Sequence, residues 1–247
     1  EDDTETRKGP SWSELVDKAS KLLGFEDPDL IRFRGSDLQI LEYFKLLNDG
    51  KSTELTNWLV KELNPPKEKL RGSQIHQGLA NLENCKTFYT TNFDTFLEDS
   101  FSLLGRGNQV IAKEADMHKD MSNECEIVKF HGDLNNPDML VLSEADYEKR
   151  LTLSSSLDYK LMSDLLNRTV LFLGYSFSDP NVSYIFRKIN DQFKEAYGIN
   201  NPKGYIVIRN PSNFEKELFN SRNIEIIPAE TDDLTSFVSD LLHQIKS

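Results

Sequence analysis

At 247 residues, with 29 lysines and arginines against 41 aspartates and glutamates for a formal charge of −12, the chain can bury a core without disulfides or a structural metal. It is too acidic over most of its surface for a general binder of phosphate backbones. Hydrophobic residues at 38 % and aromatics at 10 % exclude wholesale disorder, and Val170-Leu171-Phe172-Leu173, among the longest apolar runs, falls far short of the roughly 20 residues of a membrane helix.

Residues 1–8 are polar and charged and read as an acidic tail or spliced edge. They open on Glu1 with no basic, then apolar, leader. With two cysteines, Cys85 and Cys125, at no close-pair spacing, the expected compartment is a reducing cytoplasm. Residues 9–247 are expected to form one domain. Ser11 stands three residues before Glu14, a capping-box spacing, and Leu15, Val16, Ala19, Leu22 and Leu23 recur at helical period up to Gly24. Helices are also predicted over Ser36–Asn48, Thr53–Leu63 and Ser73–Leu82. Residues 24–84 then make an additional helical layer, because the stretch is too long for one crossover. From Lys86 the texture changes. Short apolar runs at Thr87–Thr90, Gln109–Ile111, Ile127–Phe130, Met139–Leu142, Thr169–Leu173, Tyr205–Ile208 and Ile224–Ile227 alternate with helical stretches at Leu157–Leu166, Asn181–Tyr197, Ser212–Phe219 and Leu234–Ile245. The alternation predicts an α/β fold: a Rossmann-like, mostly parallel sheet with helices on both faces, plus the helical layer of the N-terminal third.

In such sheets ligands bind beyond the carboxyl ends of the strands, so the residues after each apolar run carry the information. Thr90-Thr91-Asn92-Phe93-Asp94 follows the first run, His131-Gly132-Asp133 the third and Gly174-Tyr175-Ser176 a later one. Each has a plainer reading. Asn92 or Asp94 also suits a cap for a helix beginning near Phe96. A lone histidine is more often structural than catalytic, and Asp133 suits a turn. At His131 the strand-end position and the adjacent Gly132, which admits close backbone approach, favour function.

The three motifs, in this order and each at a strand end, resemble the sirtuin-like family of NAD-consuming domains, in particular the bacterial antiphage branch of Thoeris effectors and of the partners of HerA helicases and short Argonautes. The stretches Gly9–Leu15 and Asp138–Tyr147 add to the likeness, which runs from about Gly9 to the end. The resemblance implies NAD as substrate, cleaved between nicotinamide and ribose, with His131 and Asn92 catalytic. It also implies Thr90, Thr91, Phe93, Asp94, Gly132, Gly174, Tyr175 and Ser176 around the dinucleotide. It carries further expectations of a homo-oligomer, a HerA-type helicase or short Argonaute as defence partner, no direct nucleic-acid contact and no membrane. Departures narrow it. The deacylases of the family hold zinc with two close cysteine pairs, a set that Cys85 and Cys125 cannot supply, so no zinc is expected. They also carry glutamine where this chain has Thr91. Both departures favour a hydrolase over a protein deacylase. The family's opening glycine-rich, phosphate-receiving turn has no counterpart before Gly9, and we expect that segment to lie outside this numbering. A non-catalytic module that binds NAD or a related nucleotide, with His131 inert, is the reading from another class.

Overall fold

The structure, a computed structural model, describes residues 9–118, 125–175, 179–197 and 204–246, with the side chains of 192–197 excepted. The chain divides into two compact units: one from the described part of residues 1–72 with 86–148, the other from 73–85 with 149–247.

In the first unit, helix α1 (Trp12–Leu22) starts at the predicted box: Ser11 Oγ accepts the Glu14 N–H and the Glu14 carboxylate accepts the Ser11 N–H at 2.7 Å. It stops at Gly24, whose φ of +89° lets the Gly24 and Phe25 amides turn back onto the Lys21 and Ser20 carbonyls. Helices α2 (Pro28–Arg32), α3 (Asp37–Leu47), α4 (Thr53–Glu62) and α5 (Lys67–Gly72) follow. The sequence shows α3 and α4 by period. The five-residue α2 and six-residue α5 span too few turns to have one, although Asp27 and Pro28 mark the start of α2. Leu15, Val16, Ile40, Leu41, Phe44 and Leu55 form the core of this helical layer. Ser11→Ala is expected to cost about 1 kcal/mol, read as a lower denaturant midpoint with an unchanged slope.

Strands β1 (Thr87–Thr90), β2 (Asn108–Ile111) and β3 (Cys125–Lys129) form a parallel three-stranded sheet in the order β1-β3-β2, with α7 (Phe96–Leu103) between β1 and β2. The Met139–Leu142 run is not a strand. Pro137–Met139 is a single 3-10 turn, and Leu140–Leu142 joins no ladder. The Val141 N–H donates to the His131 carbonyl at 2.9 Å, while Leu140 and Leu142 enter the core of the helical layer. Leu140, Val141 and Leu142 are all buried without a neighbouring strand, so the apolar run reports burial alone. Helix α8 (Glu144–Leu151) begins where the Asp146 carboxylate accepts the Ser143 N–H and the Lys45 ammonium of α3.

In the second unit, α6 (Gln74–Ala80), α9 (Ser156–Asn167), β4 (Val170–Phe172), α10 (Pro180–Tyr197), β5 (Gly204–Arg209), α11 (Asn213–Ser221), β6 (Ile224–Ala229) and α12 (Leu234–Lys246) fall close to the predicted spans. The strands pair in parallel in the order β4-β5-β6. β4 is half-buried along its length, not buried as its apolar residues suggest. The architecture is therefore α/β with parallel strands, as expected. The one sheet read from the sequence resolves, among the described residues, into two ladders of three strands. No described helix is long and apolar enough to cross a membrane.

Candidate functional site

β1 and β3 run side by side with Thr90 opposite Lys129, so the segments that leave them emerge at the same end of the sheet. The Phe130 N–H donates to the Thr90 carbonyl at 2.8 Å, and beyond the ladder the Leu134 N–H donates to the Phe93 carbonyl at 3.2 Å. Two motifs 39 residues apart in the sequence, counted from Asn92 to His131, are thereby held together by their backbones.

On the β1 side, Thr90 Oγ1 accepts the Asn92 N–H at 3.1 Å, and the Asn92 side chain is exposed. Thr91 and Phe93 are half-buried, with Phe93 packed on the helical-layer core. Asp94 Oδ1 accepts the Phe96 N–H at 3.0 Å in the turn that leads into α7, whose N-cap is Thr95 and carries no side-chain cap bond. On the β3 side, the His131 ring is 2 % exposed, edge-on to Tyr147 at 5.2 Å and tilted against Phe130 at 5.7 Å. Gly132 has φ +94°, and a Cβ there would lie 2.7 Å from the Met139 carbonyl oxygen, so no other residue fits this turn without backbone movement. Asp133 is buried, and its Oδ1 accepts the Asn135 N–H at 3.1 Å in the turn the sequence suggests.

The group that sequence reasoning passed over is Lys129. Its side chain is fully buried, and its ammonium donates to the Phe93 carbonyl at 3.1 Å, to the Asp94 carbonyl, to Glu98 Oε1 at 2.8 Å and to Asp133 Oδ1 at 3.3 Å. Burial pushes the Glu98 carboxyl above the ordinary glutamate range, against the pull of the adjacent ammonium. A signal was present. Lys129 is a charged residue inside the apolar run Ile127–Phe130 of a strand read as covered on both faces, and a lysine there must find partners.

Gly174 and Tyr175 follow β4 in the second unit. Gly174 is exposed, and the Tyr175 ring stacks on Phe172 at 5.6 Å. Ser176 lies outside the described residues. Just beyond, Asp179 Oδ1 accepts the Asn181 and Val182 amides and starts α10. A polar groove of about 490 Å³ between α6 and α12, lined by Gln74, Gln77, Asn81, Asp240 and His243 among others, contains none of the motif residues. Among the described residues no three His, Cys, Asp or Glu side chains gather as a metal site would require.

Residues 86–227 match the family described as SIR2-like domain. The NAD(+) hydrolase ThsA of Enterococcus faecium is 32 % identical over 188 residues, which is 75 % of this chain and 37 % of the relative. The protein of the same name from Bacillus cereus (strain MSX-D12) is 25 % identical over 210 residues, or 84 % of this chain and 41 % of the relative. That from Acinetobacter baumannii (strain 532279) is 28 % identical over 189 residues, or 75 % and 37 %. The chain thus spans about two fifths of the length of these curated relatives.

Proposed function

From the premise that this chain belongs to the SIR2-like domain family, we propose that it is an NAD hydrolase that releases nicotinamide and leaves ADP-ribose. Its relatives carry the name NAD(+) hydrolase. The observation that supports the reading within this chain is the stitching of the Asn92 loop to the His131 turn across two parallel strands.

The bond to be cleaved joins a sugar carbon to a leaving group that departs neutral from a cationic ring, through an oxocarbenium-like transition state. Little acid assistance is needed at the leaving group. The protein must instead fix the ribose, hold the carboxamide and direct water to the anomeric carbon. We assign His131 to accept a proton from the attacking water or a ribose hydroxyl. Asn92, able to donate and accept at once, orients that water or the ribose. Asp94 accepts from the nicotinamide carboxamide, and Thr90, Thr91, Phe93 and Gly132 form the surrounding wall. The same reading makes the chain a cytoplasmic antiphage effector that depletes NAD, working as a homo-oligomer with a HerA-type helicase or short Argonaute as partner.

The burial of the His131 ring against Tyr147 favours a second reading, in which the imidazole is a packing element and the chain binds NAD without cleaving it. The two separate in one experiment: NAD and nicotinamide are measured in extracts of phage-challenged bacteria expressing the chain, alongside calorimetry of NAD with the purified protein. A fall in NAD matched by nicotinamide supports hydrolysis. Binding with NAD intact supports the scaffold.

A further inference from the structure

We propose that Lys129 is a positioning residue, one that clamps the loop carrying Asn92 onto the turn carrying His131. This rests on the hydrolase reading for its consequence in turnover, though not for its geometry.

Lys129 is the last residue of β3, fully buried, and its strand neighbours Ile127 and Val128 are apolar. A methionine or leucine would fill the same volume without the desolvation of an ammonium, and buried ion pairs replaced by apolar groups of like size commonly leave stability unchanged or improved. Bulk stability is therefore a poor reason for a charge at this position. What the ammonium does that a hydrocarbon cannot is donate three hydrogen bonds in different directions.

Those directions lead to three separate segments. Two of the acceptors are the main-chain carbonyls of Phe93 and Asp94, which lie beyond β1 and outside the sheet ladder. A third is Asp133, whose carboxylate also organises the turn after His131 through the Asn135 amide. The fourth is Glu98, in the first turn of α7, which the 90–95 loop leads into. One cation thus joins the loop after β1, the helix that follows it and the turn after β3. With four acceptors for three protons at least one bond is shared, and Glu98 Oε2 is buried without a hydrogen-bond partner among the described residues. Two carboxylates face one ammonium, so the cluster is held by the cation and is not neutral without it.

The test uses the full chain and two variants, Lys129→Met and Lys129→Met/Glu98→Gln. Removing the cation leaves both Glu98 and Asp133 without it; the second variant neutralises Glu98, while Asp133 keeps the Asn135 amide and side chain as donors, and so keeps a folded protein available. Amide exchange at Leu134, whose N–H donates to the Phe93 carbonyl, reads the clamp directly, and Phe130 within the strand pairing serves as the reference. We expect Leu134 exchange to rise at least about tenfold in the double variant with Phe130 little changed. We expect kcat for nicotinamide release to fall by about tenfold or more while KM for NAD stays within about threefold. Unchanged Leu134 exchange overturns the clamp whatever the turnover does. Faster exchange with kcat retained overturns its place in the reaction. A wild-type chain that binds NAD and never releases nicotinamide sinks the hydrolase reading instead, and the exchange measurement alone then decides the clamp.

Discussion

Asn92→Ala is expected to abolish measurable nicotinamide release, a loss of about 100-fold or more, while the unfolding midpoint stays within about 0.5 kcal/mol of wild type. The two halves of that expectation come from different facts. Asn92 is exposed and its backbone, not its side chain, is bonded to Thr90 Oγ1, so truncation leaves that bond in place and uncovers no core. The residue nevertheless stands on the loop fastened to the His131 turn, where an amide could orient water and sugar. His131→Ala is expected to lose turnover to a similar extent and, because the ring is buried beside Tyr147 and Phe130, to lose about 2 to 4 kcal/mol of stability as well. Tyr147→Leu separates the two effects: it disturbs the packing and keeps the imidazole. Most of the turnover surviving in Asn92→Ala and in folded His131→Ala would remove both from the reaction.

Gly132→Ala is the second large effect, and it falls on the fold. The residue has φ +94°, a region that costs an alanine roughly 1 to 3 kcal/mol, and the new Cβ would meet the Met139 carbonyl oxygen at 2.7 Å, with the Leu140 Cα close behind. Both neighbours are backbone, so neither can rotate away. The carbonyl of the preceding residue also accepts the Val141 N–H. Movement at 132 therefore travels into Leu140 and Leu142, which help fill the core of the helical layer. A total loss of about 3 kcal/mol or more is expected, seen as a shifted denaturation midpoint and reduced soluble yield. An alanine variant as stable as wild type would show that this turn relaxes easily and that the glycine is there for another reason.

Much of this was legible in the residues, and the exceptions share a cause. Ser11 and Glu14 announce α1 by local chemistry alone. β1 is readable because Phe88 and Tyr89 stand between β-branched threonines just after Lys86. Legibility failed where the partner of a segment is distant in sequence. Leu140–Leu142 has the apolar character of a strand, yet whether a strand or a helix lies beside it cannot be seen from the run itself. The single sheet was read as one because alternation shows that strands are parallel and not which ones pair. For the site, the strand-end positions of Asn92 and His131 followed from the pattern, and their adjacency depended on β1 and β3 being neighbours, a matter of strand order. Lys129 sits inside an apolar run, which shows that it is interior but not which distant carbonyls and carboxylates its ammonium meets.

The chain passes from one compact unit to the other three times, near residues 72, 85 and 148. A short early segment, α6, settles under a late one: Ile75 and Leu79 pack with Val238 and Leu242, and Gly78 lies directly beneath Leu242. During synthesis on the ribosome the packing of α6 therefore stays incomplete until α12 has emerged. A single cut in the gene cannot separate the two units, because each is built from two stretches of chain. A product ending after α8 would expose α6, and one beginning there would lack it, so dissection of this molecule has to proceed by single substitutions within the intact chain.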